Sequence, residues 1–208
     1  MRRVRRALIL CALAALASCA GPPARDYRLL AQGPGVRVYD LRLRALAVAR
    51  IVMPPGMNRR RVLRSAGATR IRAVPHARWM APLGTLMRLT LAQDLARIIR
   101  PSRRVRLPGQ RLPKHGSALV FVTVQAFLPT PRGVRLDARW SVACRASHAS
   151  LSHGRVHIRV ATAPEALALS ESMSDAVKRL AGTIADRLRP APAGVSGVTR
   201  PPPVLRCP

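Results

Sequence analysis

Hydrophobic and polar positions alternate with a period of two in several stretches of the chain, the signature of strands with one buried face. Val36 to Leu43 alternates and predicts a half-buried strand, and Ala47 to Met53 is an apolar piece closed by Pro54-Pro55-Gly56. Arg61 to Leu63 and Thr69 to Ala73 read as short extended segments around a Ser65-Ala66-Gly67 turn. Ala118 to Phe127 (ALVFVTVQAF) is apolar enough for a central strand, and Pro129 to Gly133 reads as a turn. Val134 to Ala143 then pairs back, with Leu136, Ala138, Trp140 and Val142 on one face and Arg135, Asp137 and Arg139 on the other. Arg155 to Val160 alternates again.

Two stretches change to the helical period. Pro82 to Ile99 carries Leu83, Leu86, Met87, Thr90, Leu91, Leu95, Ile98 and Ile99 at helical spacing, while Arg88, Gln93 and Arg97 fall off that stripe. Pro82 suits a first turn and Pro101 ends the helix. Glu165 to Leu188 places Leu169, Met173, Val177, Leu180, Ile184 and Leu188 inward, and Pro190 stops it. Strands, helix, strands, helix predicts a single α+β domain over residues 35–190. Its sheet is mostly antiparallel or mixed, with both amphipathic helices on one face. Residues 191–208 form a Pro-rich tail without core positions, expected to be mobile.

The N-terminus follows neither period. Met1 to Arg6 (MRRVRR) is basic, and Ala7 to Ala17 (ALILCALAALA) is uninterrupted apolar sequence. A bilayer span takes about 20 apolar residues, so the length fits an export signal. The run ends in Leu16-Ala17-Ser18-Cys19, similar to a bacterial lipobox. Small residues let the chain lie extended in a peptidase groove, and the Cys19 thiol can carry a diacylglyceryl thioether. Residues 1–18 are then a lipoprotein signal peptide, and 19–34, with Gly-Pro-Pro and Gly-Pro-Gly, a lipidated tether. One acyl chain binds a membrane only marginally, whereas two or three anchor it. The competing reading is an ordinary signal or short anchor helix with a coincidental cysteine. Arg2-Arg3 is a twin-arginine doublet without the rest of that motif. Ala20 stands where an aspartate would favour inner-membrane retention, which points to the outer membrane of a Gram-negative cell.

The formal charge of +29 changes the picture of partners. Four arginines leave with the signal, so the mature chain carries +25. Of the 37 basic residues only Lys114 and Lys178 are lysine. Codon drift in a GC-rich genome produces such an arginine, alanine and proline excess. Attraction to anionic lipid is the functional alternative. Nucleic acid is argued against by the export signal and by the few aromatics available to stack bases.

Candidate chemistry is sparse. The eight acids form no paired-carboxylate motif, and no Gly-x-Ser-x-Gly elbow, phosphate-binding loop or His-Glu-x-x-His occurs. His148, His153 and His157 cluster, but Arg155 between them is a poor setting for a cation. No catalytic residue, metal ligand or cofactor is expected. Trp79 and Trp140 read as core anchors rather than ligand platforms, and Arg78 and Arg139 as solvated or sheet-edge charges rather than partner contacts. Cys144 and Cys207 remain after Cys11 leaves with the signal and Cys19 is lipidated. They could pair in an oxidising compartment, or Cys144 could be a buried strand residue.

Over residues 27 to 188 the chain resembles the ABC-type transport auxiliary lipoproteins, the family of paraquat-inducible protein C. The resemblance lies in an ordered series. Met53-Pro54 ends a strand, Asn58-Arg59 follows, and an Arg-Trp step stands at Arg78-Trp79. Pro82-Leu83 opens a helix closing with Leu91-Ala92-Gln93-Asp94-Leu95. Val122 to Phe127, Leu136 to Trp140 and a last helix from Met173 to Leu188 complete the series. Met80-Ala81 stand where the family often has an acid, and Pro55-Gly56-Met57 where it has an aromatic. The resemblance implies a non-enzymatic outer-membrane lipoprotein on the periplasmic face, working with an MCE-domain protein and an inner-membrane ABC transporter in lipid transport. It also implies that Arg78, Trp79, Pro82 and Leu83 form a family motif and a candidate partner contact. Some members assemble as homo-oligomeric rings. A structural envelope or assembly lipoprotein, binding protein or polysaccharide without handling lipid, is the alternative of a different class.

Overall fold

The computed structural model describes residues 22–32, 39–40, 43–67, 69–188 and 207. In chain order the elements are β1 (Arg25–Tyr27), β2 (Tyr39–Asp40), β3 (Ala45–Val48), β4 (Arg61–Ser65), β5 (Ile71–Trp79) and α1 (Leu83–Ile98). Then come β6 (Ile99–Arg100), a 3-10 turn (Ser102–Arg104), β7 (Val105–Arg106), β8 (Ser117–Thr130), β9 (Gly133–Cys144), β10 (Ser150–Val160) and α2 (Ala166–Leu188). A five-stranded mixed sheet runs β10-β9-β8-β3-β7, a three-stranded sheet β1-β5-β4, and β2 pairs with β6. This is an α+β domain.

The meander β8-β9-β10 follows directly from period-two patterning. Val120, Val122, Val124 and Phe127 stand opposite Val142, Trp140, Ala138 and Leu136, and all are buried. On β10, Val156 and Val160 extend the same apolar face. Gly133 makes the β8–β9 turn possible. Its φ of +109° is open to glycine, and a Cβ there would lie 2.3 Å from the Val160 carbonyl oxygen. Both helices pack against this sheet and against each other. All of the expected inward positions of α2, from Leu169 to Leu188, are buried. Helix α1 is buried more widely than its stripe requires, with Ala92 and Asp94 fully enclosed, because α2, β3 and β7 all contact it.

Several expected boundaries move. The segment read as a tether over 19–34 joins the fold from Arg25: β1 pairs in parallel with β5, and Leu29 enters the core. Backbone hydrogen bonding overrides the Gly/Pro-rich composition there. Ser170 Oγ donates to the Arg28 carbonyl at 2.7 Å, and Ser174 Oγ accepts from the Leu30 N–H at 3.0 Å. Strand β5 runs to Trp79 rather than stopping at Ala73. Most of it is exposed, so no burial pattern marked it, and Pro75 falls in the stretch where the pairing with β4 shifts register. Pro129 is the penultimate residue of β8, opposite Val134, and the turn is confined to Pro131-Arg132. Pro82 stands at the N-cap, one position before the first helical turn. Of the strand expected over 36–43, the described residues are β2 and Leu43, which is buried in a bend rather than a strand; the rest lies outside the described residues. The tail was expected to lack core contacts, yet Cys207 packs against the core.

Candidate functional site

The motif residues meet where β1, β5 and the start of α1 join. On β5 alternation sends Arg78 outward and Trp79 inward. Trp79 is 2% exposed and borders the same small gap as Met57, Leu83, Phe127 and Met173. The ring thus ties the three-stranded sheet to both helices and the large sheet. Arg78 lies outside, opposite Asp26 in the parallel β1–β5 pairing. Its Nε donates to Asp26 Oδ1 at 2.7 Å and a terminal nitrogen to Oδ2 at 3.2 Å. The Arg78 hydrogen bond, aided by its charge and that of Arg60, holds the Asp26 carboxyl below its ordinary range, and Asp26 raises the guanidinium in return. Arg60 fastens the end of β5, donating to the carbonyls of Trp79 at 3.3 Å and Met80 at 2.6 Å.

Helix α1 begins beside this knot. Pro82 has no side-chain donor or acceptor to cap it, so Asn58 acts from a distance: its Oδ1 accepts the Gly84 N–H at 3.0 Å. Leu83 is buried, while Met80 is 53% exposed. The motif therefore divides. Trp79 and Leu83 belong to the core, Arg78 is engaged by Asp26, and Met80 opens onto a groove.

That groove is open, with a volume of about 1100 Å³, and runs between the outer face of α1, residues 28–31 and the segment 100–110. Exposed Leu30, Met80 and Leu89 give it apolar patches, and Arg28, Arg100 and Arg103 line it with positive charge. Arg106 borders this groove and a smaller one of about 580 Å³, with its Nε buried and without a hydrogen-bond partner among the described residues. Such a surface can bind an anionic amphiphile or an acidic partner.

The outer face of the large sheet is basic around one buried acid. Asp137, 5% exposed, accepts from Arg135 and from His157, which faces it across β9 and β10 at 3.0 Å. Burial alone would raise the Asp137 carboxyl, but hydrogen bonds from Arg135 and His157 and their charges hold it below its ordinary range. Arg139 lies directly opposite Arg155. The histidines do not converge: among the described residues no group of three His, Cys, Asp or Glu could hold a metal ion. Trp140 is buried against Gly154, where a Cβ would come within 2.9 Å of the indole.

Cys144, at the end of β9, is disulfide-bonded to Cys207, with Cα atoms 5.4 Å apart. Cys19 lies outside the described residues. Among the described residues no helix is long and apolar enough to cross a membrane. Sequence reasoning missed Asp26, the capping role of Asn58, and the groove wall at residues 28–31. An Asp one residue before Tyr27 carried no motif, and the Asn58 cap acts across 26 residues, where local capping rules do not look.

Residues 27–185 match the family model described as the ABC-type transport auxiliary lipoprotein component. The chain belongs to that family. Two crystal structures share the fold. One, of an uncharacterized protein, is 16% identical with a TM-score of 0.60, covering 80% of this chain and 99% of its own. The other, from Xanthomonas campestris, is 10% identical with a TM-score of 0.64, covering 79% and 96%. No curated protein matches the chain. Membership makes this an envelope lipoprotein auxiliary to a transport system.

Proposed function

We propose that the chain is a non-enzymatic subunit of an MCE/ABC-type lipid transport system, anchored through Cys19 to the periplasmic face of the outer membrane. The observation that carries this reading is the family match along residues 27–185. The surface supports it. An open groove with apolar patches and arginines suits contact with lipid or an acidic protein. In this role the domain binds and positions. Arg28, Arg100 and Arg103 attract a phosphate or carboxylate, and Leu30, Met80 and Leu89 cover apolar surface beside it.

Anchoring is tested by labelling cells with radioactive palmitate. The wild-type chain incorporates label and fractionates with outer membranes, and Cys19→Ser blocks labelling and leaves unprocessed precursor in the inner membrane. Undiminished labelling of the variant would remove Cys19 as the anchor.

A further inference from the structure

Much of the hairpin β4–β5 is exposed. Residues 71–73, 75 and 76 of β5 are exposed, and burial begins only at Ala77. Its far end carries Arg64, Arg70 and Arg72, with Ile71 between the last two 55% exposed. Arg64 and Arg72 stand directly opposite each other across the strands. Like charges in that position repel. The sequence from Arg61 to Trp79 contains no acid, and among the described residues none of these three arginines has an acidic partner. Asp26 is occupied by Arg78 near the other end of β5.

The parallel pairing of β1 fixes where the chain comes from. Arg25, Asp26 and Tyr27 lie beside Ala77, Arg78 and Trp79, and Pro22 to Ala24 run back along β5 beside Val74 to His76. Pro22, Pro23 and Ala24 line a groove with Arg64, Val74 and His76 that also holds Leu167, 62% exposed, at the start of α2. Glu165 is the acid bordering this end. Cys19 is three residues before Pro22 in the sequence, and three residues of extended chain reach at most ~11 Å.

We propose that the arginine-bearing end of the β4–β5 hairpin, with Ile71 and Leu167, rests on the anionic headgroups of the bilayer that holds Cys19. The proposal builds on the lipid anchor at Cys19. A tether this short cannot hold the hairpin end far from the membrane, and headgroup phosphates relieve the repulsion between Arg64 and Arg72. Ile71 and Leu167 enter the headgroup region alongside them. Docking also directs the domain: the hairpin end points to the membrane, while Trp79 and the start of α1 lie at the opposite end of β5, away from it.

The test uses the mature lipoprotein in phosphatidylcholine vesicles with and without phosphatidylglycerol. Ile71→Cys or Phe121→Cys carries a fluorophore, and the lipids carry a nitroxide quencher near the headgroup. Phe121 lies on the outer face of the large sheet and is 41% exposed. With phosphatidylglycerol present, the label at 71 is quenched and the label at 121 is not. Replacing Arg64, Arg70 and Arg72 with Gln reduces quenching at 71 to the level at 121. Equal quenching at the two positions, or none at 71, overturns the docking face. Quenching abolished by inorganic phosphate at constant ionic strength would mark a small-anion site and overturns it as well. Intact mass separates the two failures: a chain without acyl mass sinks the anchor and the docking together, whereas a lipidated chain unquenched at 71 sinks the docking alone.

Discussion

Asn58 caps a helix that begins 25 residues later in the chain. Its Oδ1 accepts the Gly84 N–H at 3.0 Å, taking one of the amides that the first turn of α1 leaves unpaired. Gly84 makes room for it: a Cβ there would stand 3.1 Å from Asn58 Oδ1 and 3.0 Å from Met53 Cγ. Asn58→Ala is expected to lower stability by about 1 kcal/mol, the usual worth of a cap. Urea unfolding measures it, and a midpoint equal to wild type would show that solvent caps the helix as well.

Trp79→Ala removes a ring 2% exposed at the meeting of both helices and two sheets. Truncating a buried aromatic costs about 3–5 kcal/mol. Trp79→Phe should recover much of that loss. Thermal melts of the two variants decide the matter; a Trp79→Ala protein melting like wild type but failing to bind its partner would make Trp79 a contact residue.

Asp137 gives stability a pH dependence of definite sign. Its carboxyl titrates lower in the folded chain than in the unfolded one, so through the acid range the unfolded chain binds more protons. The contribution is full above the ordinary carboxylate value of ~3.9 and is lost as pH falls through the folded value. Arg135 and His157 are 52% and 74% exposed, which screens the interaction. Asp137→Asn should therefore cost about 1–2 kcal/mol at neutral pH. Unfolding curves of wild type and variant should converge at acid pH, and a constant gap between them would assign the loss to shape rather than charge.

The Cys144–Cys207 bond closes a loop of sequence separation 63. By restricting the unfolded chain such a cross-link stabilises by about 2–4 kcal/mol. Cys207→Ser should lose that amount without changing the meander, because Cys144 remains on a fully paired strand. Denaturation with and without reductant checks this; reductant sensitivity persisting in the variant would point to another bond.

What the sequence conveyed depended on burial. Strands β8 and β9 and helix α2 were legible because Val120, Leu136, Trp140 and Leu180 sit on faces buried over their length, and burial imposes the period. Strand β5 was half missed because its exposed residues Ile71 to Ala73 obey pairing with β4 rather than burial. Residues 25–32 were misread because their hold on the fold is backbone pairing and the hydroxyls of Ser170 and Ser174, neither of which leaves a local pattern. The Arg78-Trp79 step stands out in the sequence, but its division into an outward ion pair and an inward anchor needed Asp26 in place.

The central claim is partnership with a lipid transport system, and one capture experiment tests it most directly. Tagged mature protein is crosslinked in intact cells, the envelopes are solubilised, and the copurifying proteins are identified against an unrelated tagged outer-membrane lipoprotein. The account predicts enrichment of an MCE-domain protein, with components of its ABC transporter, over that control. Recovery of neither above the control, from envelopes in which both are present, would contradict it.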